Sequence, residues 1–118
     1  MSYNISLCES ITGCIIGLDA PHQMRGGTFV VGGTTEASLN VTYNYAEYFC
    51  QVLGDKGIRT IYGMTGAQSL PVLRDAAAKL GNDVVDDYWE PTEGNAKRAL
   101  LQLAALAEMR PDGVWEGD

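Results

Sequence analysis

The sequence predicts one α+β domain over residues 1–118: a small antiparallel sheet of about four N-terminal strands, packed by three α-helices. Three observations predict it. The first 44 residues carry apolar side chains at a period of two, broken by turn residues. From residue 44 onward the apolar spacing becomes helical and is punctuated by capping residues. No linker, repeat or low-complexity run divides the chain.

The elements follow in order. Tyr3, Ile5 and Leu7 alternate with Asn4, Ser6 and Cys8, which suits a strand over 3–8. Cys14, Ile16 and Leu18 repeat the pattern over 13–19, and Ser10-Ile11-Thr12-Gly13 between the two runs predicts a hairpin. Residues 20–27 hold Pro21, Gly26 and Gly27 and read as a loop. Thr28-Phe29-Val30-Val31, bounded by glycine pairs, predicts a third strand. The fourth is the clearest, because Ala37, Leu39, Val41 and Tyr43 alternate strictly with Ser38, Asn40, Thr42 and Asn44. That alternation belongs to a sheet with one buried face and one wet face. An antiparallel meander is the simplest arrangement of the four.

Asn44 is the expected cap of a first helix carrying Ala46, Phe49, Cys50 and Leu53, closed by Gly54 or Gly57. Ile58–Tyr62 reads as one more short strand or an extended connection. Thr65 caps a second helix with Leu70, Leu73, Ala77 and Leu80 on one stripe and Gly81 as its stop. Pro71 lies too deep for the first turn, so a kink or a later start is expected. Thr92 caps a third helix running to about Met109. From Ala99 to Ala107 only Gln102 is polar, so this helix is expected at the centre. Trp115 is expected to anchor the tail on the core.

Charge and cysteine usage narrow the function. With 19% charged and 46% hydrophobic residues the chain is globular, and its formal net charge is −7. A negative surface repels phosphate backbones and acidic membranes, so neither direct nucleic-acid binding nor membrane binding is expected. No stretch approaches the length of a membrane span, and no basic, apolar leader opens the sequence. Three cysteines, an odd number, fit free thiols in a reducing cytosol.

Catalytic and metal motifs are sparse. His22 is the single histidine, and no nucleophile motif accompanies it, so it reads as a loop residue and the chain as a non-enzyme without cofactor. Cys8, Cys14 and His22 lack zinc-site spacing. Asp83, Asp86, Asp87, Glu90 and Glu93 could offer oxygen ligands but lack the order of a calcium loop. They read more simply as a solvated acidic segment near a helix start, where the helix dipole favours carboxylates.

The strongest ligand signal is positional. Thr42-Tyr43-Asn44, Tyr62-Gly63-Met64-Thr65-Gly66 and the segment from Tyr88 through Trp89 and Thr92 to Asn95 each feed a helix start. Each combines an aromatic residue with a capping hydroxyl or amide, and Gly66 and Gly94 place glycine in a first turn. Unpaired amides there would bind an anion, the aromatics would stack on a base, and Arg59 and Arg98 would supply charge. The expected ligand-binding set is therefore Thr42, Asn44, Arg59, Tyr62, Thr65, Gly66, Tyr88, Trp89, Thr92, Asn95 and Arg98. The plainer alternative is that the threonines only cap, the glycines permit close packing and the aromatics fill the core.

Asn40 to Asn44, Gly57 to Gly66 and Asp87 to Asn95, followed by Met109-Arg110-Pro111-Asp112-Gly113-Val114-Trp115, are together similar to small proteins encoded by phage and prophage genomes. The resemblance covers about residues 37–118. It implies a phage accessory protein in the cytoplasm of a bacterial host, in a counter-defence role.

The leading functional expectation is a non-enzymatic protein that sequesters a small nucleotide-derived ligand, as a homo-oligomer enclosing it. An alternative is an acidic inhibitor that docks on a basic host protein surface in the manner of a nucleic-acid mimic. A further alternative is a structural or regulatory phage component without a ligand.

Overall fold

The computed structural model describes residues 2–22, 33–87 and 89–118. In chain order it contains β1 (Ser2–Cys8), β2 (Gly17–His22), β3 (Thr34–Glu36), β4 (Ser38–Thr42), α1 (Ala46–Leu53), α2 (Gly66–Ala78), α3 (Glu93–Met109) and β5 (Val114–Gly117). Short 3-10 turns at Tyr43–Tyr45 and Gly57–Ile61 flank α1. The fold class is the α+β class expected from the sequence.

The sheet is not a meander. β1 lies at the centre of a three-stranded antiparallel sheet ordered β4-β1-β5, and β2 pairs with β3 in a separate two-stranded sheet. The alternation explains the choice of partners. Tyr3, Ile5 and Leu7 all point inward and register with Val41, Leu39 and Trp115, which are buried too. The opposite face carries a polar ladder in which Asn40 donates to Ser2 Oγ at 2.8 Å and Asn4 Oδ1 at 2.7 Å. β2 has no such alternation and is largely exposed. Its register against β3 slips between Gly17 and His22, around Pro21, which has no N–H to give a ladder.

The expected second strand over 13–19 therefore moves to 17–22. The expected hairpin with β1 is made over residues 14–16: Ile15 is bridged to Cys8, the Glu9 amide donates to the Cys14 carbonyl and the Ile16 amide to the Leu7 carbonyl, and the buried Ile16 accepts from the Ala37 amide. The expected loop over 20–27 is corrected at its start, because residues 20–22, His22 included, belong to β2; its remainder and the expected third strand at 28–31 lie outside the described residues. β5 was not expected as a strand, although Trp115 is the tail anchor predicted. It is fully buried and its Nε1 donates to Ser69 Oγ at 2.7 Å.

The helices begin where their caps dictate, with one correction. Thr42, not Asn44, makes the first cap: its hydroxyl accepts the Asn44 amide at 3.2 Å and starts the Tyr43–Tyr45 turn leading into α1. The Asn44 side chain instead reaches across to donate to the Trp89 carbonyl at 2.8 Å. Gly54, at φ 93°, closes α1 as expected. Residues 57–61 form a 3-10 helix rather than a strand, so Ile58 and Ile61, three apart, share its buried side.

Thr65 and Gln68 form a reciprocal capping box, and α2 starts directly at Gly66. There is no later start: Pro71 sits inside the helix on its exposed side and simply forgoes the bond to the Ala67 carbonyl. α3 is buried on most of its circumference, including Leu100, Leu103 and Leu106. α2 and α3 run antiparallel. A Cβ on Gly66, at the start of α2, would stand 3.1 Å from the Ala107 carbonyl near the end of α3, whereas Gly81, just after α2, lies beside Glu93 at the start of α3.

Candidate functional site

That antiparallel pairing governs what the helix starts can do. The beginnings of α2 and α3 lie at opposite ends of the pair, about 20 Å apart over the 13 residues of α2. They cannot line one pocket. The expectation that the three helix-feeding connections converge is corrected on this ground.

The amides of the two glycines and of the residues that follow them are also taken. In α2 the Gly66 N–H donates to the Gly113 carbonyl at 2.7 Å and the Ala67 N–H to the Pro111 carbonyl at 3.0 Å. The Gln68 amide goes to Thr65 Oγ1 at 3.1 Å. In α3 the Gly94 amide donates to Asp83 Oδ1 at 2.9 Å and the Asn95 amide to Thr92 Oγ1 at 3.1 Å. The glycines serve close packing. A Cβ at Gly66 would stand 2.8 Å from the Arg110 carbonyl oxygen, and one at Gly94 would overlap the backbone of Asp83 and Val84. Helix propensity is sacrificed so that chain can lie directly against chain, which removes the reason for inferring an anion guest.

The expected site residues fall into three separate groups. Thr65 and Gly66 meet the 110–113 turn, as above. Arg59 and Tyr62 join Tyr3 and Tyr43 at the edge of the sheet, where the Arg59 guanidinium lies 5.0 Å from the Tyr3 ring centroid and 6.0 Å from that of Tyr43. Arg59 Nε donates to the Asp118 carbonyl at 2.9 Å, and Asp118 Oδ1 accepts the Asn4 amide at 2.9 Å. Gly117 lies flush against the Tyr62 hydroxyl and the Asn4 carbonyl, with no room for a Cβ. This cluster binds the chain's own last strand.

The third group is the loop before α3. Asn44, in the turn before α1, reaches it through the Trp89 carbonyl, Trp89 belongs to it, and Thr92 and Asn95 form the start of α3 behind it; Thr42 ends β4 and spends its hydroxyl on the Asn44 amide, and Tyr88 lies outside the described residues. Asn95 is buried and organises the loop from inside. Its Oδ1 accepts the Val85 amide at 3.1 Å, and its Nδ2 donates to the carbonyls of Asp87 at 3.1 Å and Glu90 at 3.0 Å. Tyr48 donates from its hydroxyl to the Pro91 carbonyl at 3.1 Å. Lys97 holds Asn82 Oδ1 at 2.8 Å. Arg98, half-exposed one turn further along α3, has no hydrogen bond or ion pair among the described residues.

What this loop presents to solvent is acidic and apolar together. Asp83, Asp86, Asp87, Glu90 and Glu93 follow one another with no lysine or arginine between Lys79 and Lys97. Asp83 and Glu93 are engaged by the amides of Gly94 and Gly81. Asp87 Oδ1 accepts the Trp89 amide at 3.1 Å. Asp86 and Glu90 remain exposed with side chains unpartnered among the described residues. Between them stands Trp89, 41% exposed, and Val84 is 49% exposed. Sequence reasoning found Asn95 but gave it the wrong task, and it missed Tyr48. A long-range side chain-to-backbone clamp has no local signature.

Elsewhere the chemistry is sparse. His22 Nε2 is hydrogen-bonded to the Glu36 carbonyl at 2.8 Å. Cys8, Cys14 and Cys50 are free thiols. Burial, followed by a hydrogen bond to Glu116, pushes the Cys8 thiol up to about 11, away from nucleophilic behaviour. Among the described residues no three His, Cys, Asp or Glu side chains gather as a metal set. No helix among them is long and apolar enough to cross a membrane.

No protein-family model matches the chain, and neither a curated protein nor a solved structure resembles it.

Proposed function

We propose that this chain is a non-enzymatic binding protein that docks the loop over residues 82–92 on a basic surface of a protein partner. The observation that carries the reading is the exposed Trp89 set among carboxylates on a loop pinned from within by Asn95. A tryptophan at the centre of a patch is the residue type that supplies binding energy, and surrounding carboxylates steer a basic partner and reject an acidic one. Pinning lowers the entropy lost on binding, because the loop is ordered before the partner arrives. The formal charge of −7 acts in the same sense over longer range.

Sequestration of a nucleotide-like ligand loses its support, since its amide donors are occupied and its residues are dispersed. The resemblance to phage and prophage proteins would place the partner in the cytoplasm of a bacterial host, as a target of counter-defence. The test is capture from bacterial lysate at low salt, with the wild-type chain and Trp89→Ala side by side. A defined basic protein retained by the first and lost by the second is the expected result. Equal retention by both, or retention of nothing, refutes the docking role of the loop.

A further inference from the structure

We draw no further inference here: the strongest candidate, the cleft of about 330 Å³ between β2 and the end of α3 lined in part by Asp19, His22, Met109 and Arg110, carries nothing because no feature of the structure shows what covers it.

Discussion

Asn95 and Val85 are joined through the side-chain oxygen of the first and the backbone amide of the second, 3.1 Å apart. The same amide group holds two carbonyls on the far side of the loop. One buried side chain thus replaces the ladder that a segment without helix or strand would otherwise lack. Removing it strands one backbone donor and two acceptors. Asn95→Ala is expected to cost about 2–3 kcal/mol in urea unfolding. Amide exchange should accelerate first over residues 83–91, ahead of the helices. Uniform acceleration across the molecule would show that Asn95 does not organise the loop.

Gly94 separates the packing account from the ligand account. Alanine is ordinarily the better helix former by about 1 kcal/mol. At position 94 its Cβ meets the backbone of Asp83 and Val84, which cannot swing aside as a flexible side chain would. Gly94→Ala is expected to destabilise by about 1–3 kcal/mol, read as a lowered Tm. Gly66→Ala should act in the same direction, against the Arg110 carbonyl. A raised Tm for either variant contradicts the close approach described here.

Trp115 and Ser69 form the polar contact of the deepest core. Ser69 Oγ accepts from the indole and itself donates to the Gly66 carbonyl at 2.8 Å, so the hydroxyl links β5 to the first turn of α2. Ser69→Ala leaves a buried indole N–H without an acceptor and should cost about 1–3 kcal/mol by chemical denaturation. Trp115→Phe removes the donor together with part of the ring volume, so it loses stability through a cavity as well.

The alkaline limb of the stability curve follows from groups that burial raises above their ordinary values, Tyr3 in direction and most strongly Cys8 and Tyr62. Burial lifts Cys8 from 9.0 to about 11 and Tyr62 from 10.0 to about 12, with Arg59 opposing the second shift. Each holds its proton more tightly folded than unfolded. Their contribution is therefore complete below pH 9 and is lost as pH rises through 11 to 12. Unfolding free energy against pH should slope downward only above about 9 from these groups. At pH 8 a thiol reagent should titrate Cys14 and Cys50, which are exposed, well before Cys8.

Much of this architecture was legible in local chemistry. Thr65 and Thr92 announced two helix starts because a capping hydroxyl acts within three residues of itself. The alternation through Leu39 and Val41 identified β4 because one face of a sheet must be apolar. Trp115 could be placed inside on size and polarity alone. Strand order could not be read this way. β5 has only four residues, and its assignment beside β1 depends on Leu7 lying opposite Trp115, a relationship across most of the chain. The glycines misled for a related reason. Gly66 and Gly94 break helix propensity, but a sequence does not say whether the space beside a glycine holds a guest or another stretch of backbone. Here it holds the Arg110–Pro111 turn and the Asp83–Val84 loop.

The most direct measurement compares two variants with the same change in net charge, binding by calorimetry to the captured basic partner. Asp86→Asn with Glu90→Gln neutralises the exposed carboxylates beside Trp89, whereas Asp55→Asn with Asp75→Asn neutralises two exposed carboxylates on other elements. Docking through the loop gives at least a tenfold weakening for the first pair, with a shallower salt dependence, and near wild-type affinity for the second. Equal weakening by both pairs would mean that the partner senses total charge alone, and the docking loop would have no special standing.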